Sequence, residues 1–424
     1  MISDASTSSQ ERHTRPAWSA LAHSLRESRQ WEDDSEDDYE ITVELQIPPI
    51  EDIDSVAALS EYLAVLPDAF PVDFNKEDEA LRMIIPGAVT TSRLIGAGMS
   101  FSVRGTKRPE LSEAVLERFP TKRLGRYTQV AMKAARVDLG SNHERAKMKA
   151  IRAIAWEIHV LTHPPIQEAE NIITLLGLTW QADEYNPGQG YLPVLALEMA
   201  DQGSLDDLLN PREYCLHFDV KKKLCLDVAQ GLRVLHESHI IHGDIKTHNI
   251  LLVTNSEGTL TAKLSDFGSS VHTFGPDEKV RLPAHSPPWN APEFFMDHIP
   301  IAGLIKTDIY CFGMLVWRVM LDGNTPLDFS IPDYYPWRRS FALLQHYNDD
   351  DDREMKIQNL KADASDTFLT MVLGTIKMQG LDEDLIQHIL ERTIRAVPDD
   401  RTHSMVPLIS SLLGHFQIDP SLPL

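Results

Sequence analysis

Asp244, Lys246, Asn249 and Asp266 follow one another closely in a set of residue types that suits phosphoryl transfer. That reaction needs a carboxylate to accept or orient the proton of an attacking hydroxyl. It also needs oxygen ligands for Mg²⁺ and a cation beside the migrating phosphoryl group. Asp244 supplies the carboxylate, Asn249 and Asp266 the metal ligands, and Lys246 the cation. The four sit in two short stretches, His242-Gly-Asp-Ile-Lys-Thr-His-Asn249 and Leu264-Ser-Asp-Phe-Gly268. Either stretch alone is a weak signal, because an Asp-Phe-Gly turn also arises in ordinary solvated loops.

Three upstream features add to them. Ile95-Gly96-Ala-Gly98 offers a backbone that phosphates can approach closely, although a Gly-x-Gly turn serves a plain hairpin equally well. Val130-Ala-Met-Lys133 ends an apolar run on a lysine. The third is a helix expected over roughly 142–162, with Ile151, Ile154, Ile158 and Leu161 on one face at 3–4 spacing. Glu157 falls three residues after Ile154 and four before Leu161, at the edge of that face. A carboxylate there faces the sheet and needs a cation, for which Lys133 is the candidate; Glu144 competes for the same role.

Taken together these motifs resemble the protein kinase family. The D-x-K-x-x-N loop and the D-F-G triplet stand in the family's order, and Val130–Lys133 is similar to its V-A-I-K strand. The resemblance implies that Asp244 is the catalytic base, that Lys246 assists it, and that Asn249 and Asp266 hold Mg²⁺. It implies that Gly96 and Gly98 cover the phosphates of ATP, that Lys133 holds the α- and β-phosphates, and that Glu157 pairs with Lys133. Val103, Ala131 and Leu251 are then expected to line the adenine site. Leu195-Ala-Leu-Glu-Met-Ala200 resembles the hinge, with Leu197 as gatekeeper and the backbones of Glu198 and Ala200 bonding adenine.

Farther along, Ser286-Pro-Pro-Trp-Asn-Ala-Pro-Glu293 is similar to the segment that closes the family's activation loop. Asp308 matches the aspartate that braces the catalytic loop, and Arg401 the arginine that pairs with Glu293. The resemblance spans about 88–418. Lys246 and Ser286 are of the serine/threonine type, so the expectation is a protein serine/threonine kinase using ATP and Mg²⁺ on protein hydroxyls. The alternative is a pseudokinase acting as a nucleotide-binding scaffold. Against it, Lys133, Asp244, Lys246, Asn249 and Asp266 are all present. A small-molecule kinase of related fold fits less well with the full Ala291-Pro-Glu293 segment.

Three departures stand out. Phe101 occupies the place of a third glycine. Residues 104–128 form a long, basic insertion containing Arg104, Lys107, Arg108, Arg118, Lys122, Arg123 and Arg126. Gly243 replaces the arginine that in the family pairs with a phosphorylated activation loop. Modification of Ser269, Ser270 or Thr273 is therefore not expected to act as an on-switch. The Gly243 form is similar to divergent kinases of filamentous fungi.

These residues need a scaffold, and the 424-residue chain, 42% hydrophobic, is long enough to bury one. β-like runs are expected at Ser92–Ile95, Ser100–Arg104, Gln129–Ala134, Ile173–Trp180 and Leu192–Glu198. Helical patterns dominate after Gly203, including Val220–Leu235 and an apolar helix at Asp308–Leu321. Strands first and helices later imply an α+β protein in two lobes. The division is an acidic tail at 1–54, a flanking segment at 55–87, and a kinase domain at 88–424 with lobes at 88–198 and 203–424. A short strand at Ile41–Ile47 and a helix over 55–66, with Val56, Leu59 and Leu63, are further expectations.

A net charge of −23 argues against nucleic acid as the main partner. The three cysteines fit neither a disulfide framework nor a metal site, which suits a reducing compartment. The N-terminal residues lack the apolar stretch of a signal peptide. Cys311–Leu321 is about half a membrane span and carries Arg318. An intracellular protein, cytoplasmic rather than nuclear, without membrane insertion, is expected; the oligomeric state is left open. Residues 32–54, with Asp and Glu but no Lys or Arg, and the basic insertion are expected to be solvated and independent, with a loose intramolecular clasp between them as the alternative.

Overall fold

The computed structural model describes Leu59 and residues 93–97, 101–107, 129–135, 143–182, 191–210, 215–255, 257–273, 279–280, 282, 286–296, 299–325, 327, 350–377 and 383–414. The acidic tail, the Ile41–Ile47 strand, Gly98 and most of the basic insertion lie outside this set.

The first lobe is a five-stranded antiparallel sheet. Its strands are β1 (Arg93–Ala97), β2 (Phe101–Lys107), β3 (Gln129–Ala135), β4 (Leu175–Ala182) and β5 (Tyr191–Glu198), in the order β1-β2-β3-β5-β4. Side chains alternate across a strand, and directly paired residues of antiparallel neighbours share a face. Val103 pairs with Lys133, Lys133 with Leu195, and Ala131 with Leu197. All five therefore point to the same side, where helix α1 (His143–Leu161) packs. On α1 the expected stripe of Ile151, Ile154, Ile158 and Leu161 is buried. Leu59, helical and fully buried, belongs to the same core cluster.

Strand β4 starts at Leu175, two residues later than the sequence pattern implies. The reason is local. Ile172 bridges to Leu264 and the Ile173 N–H donates to the Leu264 carbonyl at 2.9 Å, so these residues belong to the second lobe.

After the short helices α2 (Pro164–Gln167) and α3 (Leu205–Leu209), the second lobe is built on α4 (Phe218–Glu237). Two-stranded pairings follow among β6 (Ile240–Ile241), β7 (Ile250–Thr254), β8 (Leu260–Leu264), β9 (Val271–His272), β10 (Lys279–Val280) and β11 (Ile299–Pro300): β6 with β9, β7 with β8, and β10 with β11. The helices α5 (Ile301–Met320), α6 (Asp350–Ala362), α7 (Thr367–Lys377), α8 (Glu383–Glu391) and α9 (Val406–Gly414) complete it. Helix α4 passes so close to the β8 end that a Cβ on Gly231 would meet the Asn171 carbonyl at 2.7 Å. Helix α5 begins at Ile301 rather than near Asp308, so Asp308 projects from mid-helix and not from its first turn. The α+β, two-lobed reading holds.

Candidate active site

The site lies where the sheet face of the first lobe meets the β6–β9 region of the second. Lys133 reaches out from β3 with 6% of its surface exposed. Its Nζ donates to Glu157 Oε1 at 2.9 Å and Oε2 at 2.7 Å, and to Asp266 Oδ1 at 2.9 Å. Burial disfavours the ammonium, but the Asp266 and Glu157 carboxylates outweigh it and raise the Lys133 pKa above its ordinary value. Burial pushes the Glu157 carboxyl up, against the pull of Lys133. Lys133 draws Asp266 below the usual carboxylate range. Asp266, at φ 65°, keeps 44% of its side chain exposed. The expected competitor of Glu157, Glu144, lies in the first turn of α1; the buried pair is made by Glu157.

Phe101 also lies against this lysine, its ring centroid 4.6 Å from Nζ. Phe101, which takes the place of a third glycine, therefore also touches the central cation.

Asp244 and its neighbours form a second cluster. Lys246 Nζ donates to Asp244 Oδ2 at 2.7 Å and to Ser286 Oγ at 2.8 Å. Asn249 Nδ2 donates to the Asp244 carbonyl at 2.8 Å and to Asp244 Oδ2 at 3.0 Å. These bonds fix the Asn249 amide, so its oxygen is the atom left to face a cation. That oxygen and the Asp266 carboxylate are hard donors of the kind Mg²⁺ takes. The residues present fit the metal.

The backbone of this loop is held from below. Asp308 accepts the N–H of His242 at 2.8 Å and of Gly243 at 3.0 Å, and pairs with His236 Nε2 at 2.9 Å. Burial opposes the Asp308 charge, but the His236 and Gly243 bonds keep its carboxyl below the ordinary range. Gly243 has φ +74°, and a Cβ there would meet the Ser269 carbonyl at 2.8 Å. Ser270 is buried.

Among the remaining expected residues, Ala131 and Leu197 belong to the core cluster, and the half-buried Val103 and Leu251 pack against it. Gly96 lies on β1 just after a bulge. The Glu198 N–H donates to the Thr174 carbonyl at 3.0 Å, so a ligand's hydrogen bond to Glu198 falls to its carbonyl oxygen. Ala200 follows, half-buried. Sequence reasoning missed the Glu198 carboxylate, which accepts from Lys263 Nζ and from the Thr174 N–H, both at 2.8 Å.

A cavity opens beside Asp244, lined by Leu282, Ser286, Trp289, Phe294 and Cys311 among others. Its wall is braced by two ties. Arg401 grips Glu293 at 2.5 and 2.8 Å. Lys361, missed from sequence, donates to the carbonyls of Pro288 and Asn290. Burial brings the Lys361 pKa down to about 7.

Three carboxylates, two cations and an amide thus converge on a cleft open to one lobe's sheet and the other's loops, an arrangement able to hold a polyphosphate and an acceptor hydroxyl. The family model for protein tyrosine and serine/threonine kinases matches residues 112–367. Dual specificity testis-specific protein kinase 1 of Rattus norvegicus is 33% identical over 159 residues, 37% of this chain and 24% of the rat protein. Serine/threonine-protein kinase SBK1 of Danio rerio is 32% identical over 163 residues, 38% of this chain and 39% of the fish protein. Serine/threonine/tyrosine-protein kinase HT1 of Arabidopsis thaliana is 28% identical over 213 residues, 48% of this chain and 49% of the plant protein. The matched part of the chain thus spans half or less of the length of each of these relatives.

Proposed function

The chain belongs to the protein tyrosine and serine/threonine kinase family, and on that premise we propose that it transfers the γ-phosphoryl group of ATP to serine and threonine hydroxyls of proteins. The observation that carries the reading is Lys246, whose ammonium bridges Asp244 Oδ2 and Ser286 Oγ. That bridge fixes a carboxylate and a cation together beside the cavity that Asp244 and Ser286 line.

In this reading an acceptor hydroxyl enters from the cavity side and hydrogen-bonds to Asp244, which takes its proton as the bond to the γ-phosphorus forms and the bond from that phosphorus to the β,γ-bridging oxygen breaks, releasing ADP. Lys246 stands beside the transferring group and offsets its charge. Lys133, oriented by Glu157, pairs with the nucleotide's phosphates, and Ala131, Val103, Leu197 and Leu251 enclose the base. Asn249 and Asp266 would hold Mg²⁺, which supplies charge neutralisation of the phosphates when bound. Protein substrates follow from the family. We place the protein inside the cell, and its net charge of −23 disfavours nucleic acid as a partner. Among the described residues no helix is long and apolar enough to cross a membrane.

The test is radiolabel transfer from ATP to peptide pools that differ only in carrying Ser, Thr or Tyr. Transfer to the Ser and Thr pools alone is expected. Transfer to the Tyr pool alone overturns the specificity. Nucleotide binding without transfer to any pool or to the protein itself supports the scaffold reading instead.

A further inference from the structure

The helix that carries Glu157 is tied to the chain beyond Asp266 by two histidines. His159, two residues after Glu157 on α1, is 1% exposed. Its Nε2 lies 3.2 Å from Nε2 of His272 on β9. Trp156 packs on both rings at 5.4 Å, and the two imidazoles meet near edge-on at 5.3 Å. Strand β9 then pairs with β6, Ile240 opposite His272, and the Thr273 N–H donates to the His239 carbonyl at 2.9 Å. Strand β6 runs directly into His242, Gly243 and Asp244. One mechanical path therefore links Glu157 to the catalytic loop through the histidine pair.

A hydrogen bond between two Nε2 atoms needs one ring as donor and the other as acceptor. Burial favours neutral rings here: it holds His159 well below the ordinary histidine range, with His272 and His163 adding to the effect, and brings His272 down to about 3. Position 243 supplies no cation that could gather a phosphate onto this segment. Its backbone is left-handed, and a Cβ would meet the Ser269 carbonyl.

We propose that the His159–His272 hydrogen bond is the positioning contact that holds the Glu157 helix on the activation segment, doing with two aromatic rings what an arginine–phosphate pair does elsewhere. His159 and His272 are positioning residues: they act through Glu157 and Lys133 on the nucleotide. The inference rests on the transferase reading for its consequence in turnover, but not for its consequence in nucleotide affinity.

The test uses the full chain with His272→Phe, which keeps a ring and removes the nitrogens, and His272→Gln, which returns an amide able to bond His159. His159→Phe and the double Phe variant complete a cycle. The expected loss for His272→Phe is roughly tenfold in kcat/KM for ATP, mainly through KM, the scale of one partly buried hydrogen bond. Amide exchange over 143–161 should quicken, His272→Gln should recover most of the loss, and the double variant should be no worse than either single one. Phosphatase treatment should leave the wild type active. Wild-type KM and exchange in His272→Phe would overturn the proposal. So would a His272→Gln variant as impaired as Phe, strictly additive losses, or a wild type inactivated by phosphatase. If His272→Phe does not fold, His159→Gln against His159→Phe gives the same comparison. A wild type that binds nucleotide but transfers nothing counts against the enzyme reading, while nucleotide affinity and exchange still judge the histidine pair.

Discussion

The Glu157 carboxylate holds the Lys133 ammonium with both oxygens, at 2.9 and 2.7 Å, between residues 24 positions apart in the chain. The pair joins β3 to α1 and makes nucleotide binding depend on the placement of that helix.

Glu157→Gln should therefore raise KM for ATP about tenfold or more while leaving Lys133 charged, because Asp266 still faces it at 2.9 Å. Steady-state kinetics at several ATP concentrations check this. An unchanged KM in a folded variant would mean that the pair is only structural.

Acid should destabilise the protein through its neutral histidines. His159 is buried and the partly buried His163 and His272 couple to it; burial holds His163 at about 4 and His272 at about 3. Unfolded, each titrates near 6.5. Below that pH the unfolded chain binds more protons than the folded one. Their contribution is thus complete above about pH 6.5 and is lost as pH falls toward 4. The slope is set by the extra proton that the unfolded chain binds at each histidine. Urea midpoints between pH 7 and 5 measure it. A flat profile in that window contradicts the neutral cluster.

Asp266→Ala should weaken binding of ATP in the presence of Mg²⁺ more than binding of nucleotide in its absence, since the carboxylate serves the cation. Titration calorimetry with and without EDTA separates the two. Equal losses contradict the assignment.

Leu59→Ala should cost about 2–5 kcal/mol of stability, as expected for a fully buried leucine. A denaturation midpoint equal to wild type would remove Leu59 from the core.

Much of this arrangement was legible because it follows local periodicity. The 3–4 spacing on α1 put Glu157 at the rim of the apolar face, while Lys133 and Ala131 were assigned by the resemblance of Val130–Lys133 to the family's strand motif. The Glu293–Arg401 pair and the Asp308 brace followed from motif resemblance. The histidine pair was not legible: 113 residues separate His159 from His272, and nothing in either stretch marks the other. The Lys361 brace, 73 residues from Pro288, is hidden for the same reason. Boundaries failed where tertiary contacts override pattern, as at Ile173, taken by Leu264 of the second lobe, and at α5, whose first turns from Ile301 lack the uniform apolar character seen after Asp308.

The most direct test of the central claim is single-turnover phosphoryl transfer by Asp244→Asn alongside its nucleotide affinity. The amide can still accept from Lys246 but cannot take a proton. Nucleotide affinity near wild type with transfer slowed about 10²–10⁴-fold is the predicted result. Transfer at the wild-type rate would contradict the role of Asp244 and with it the account of the site.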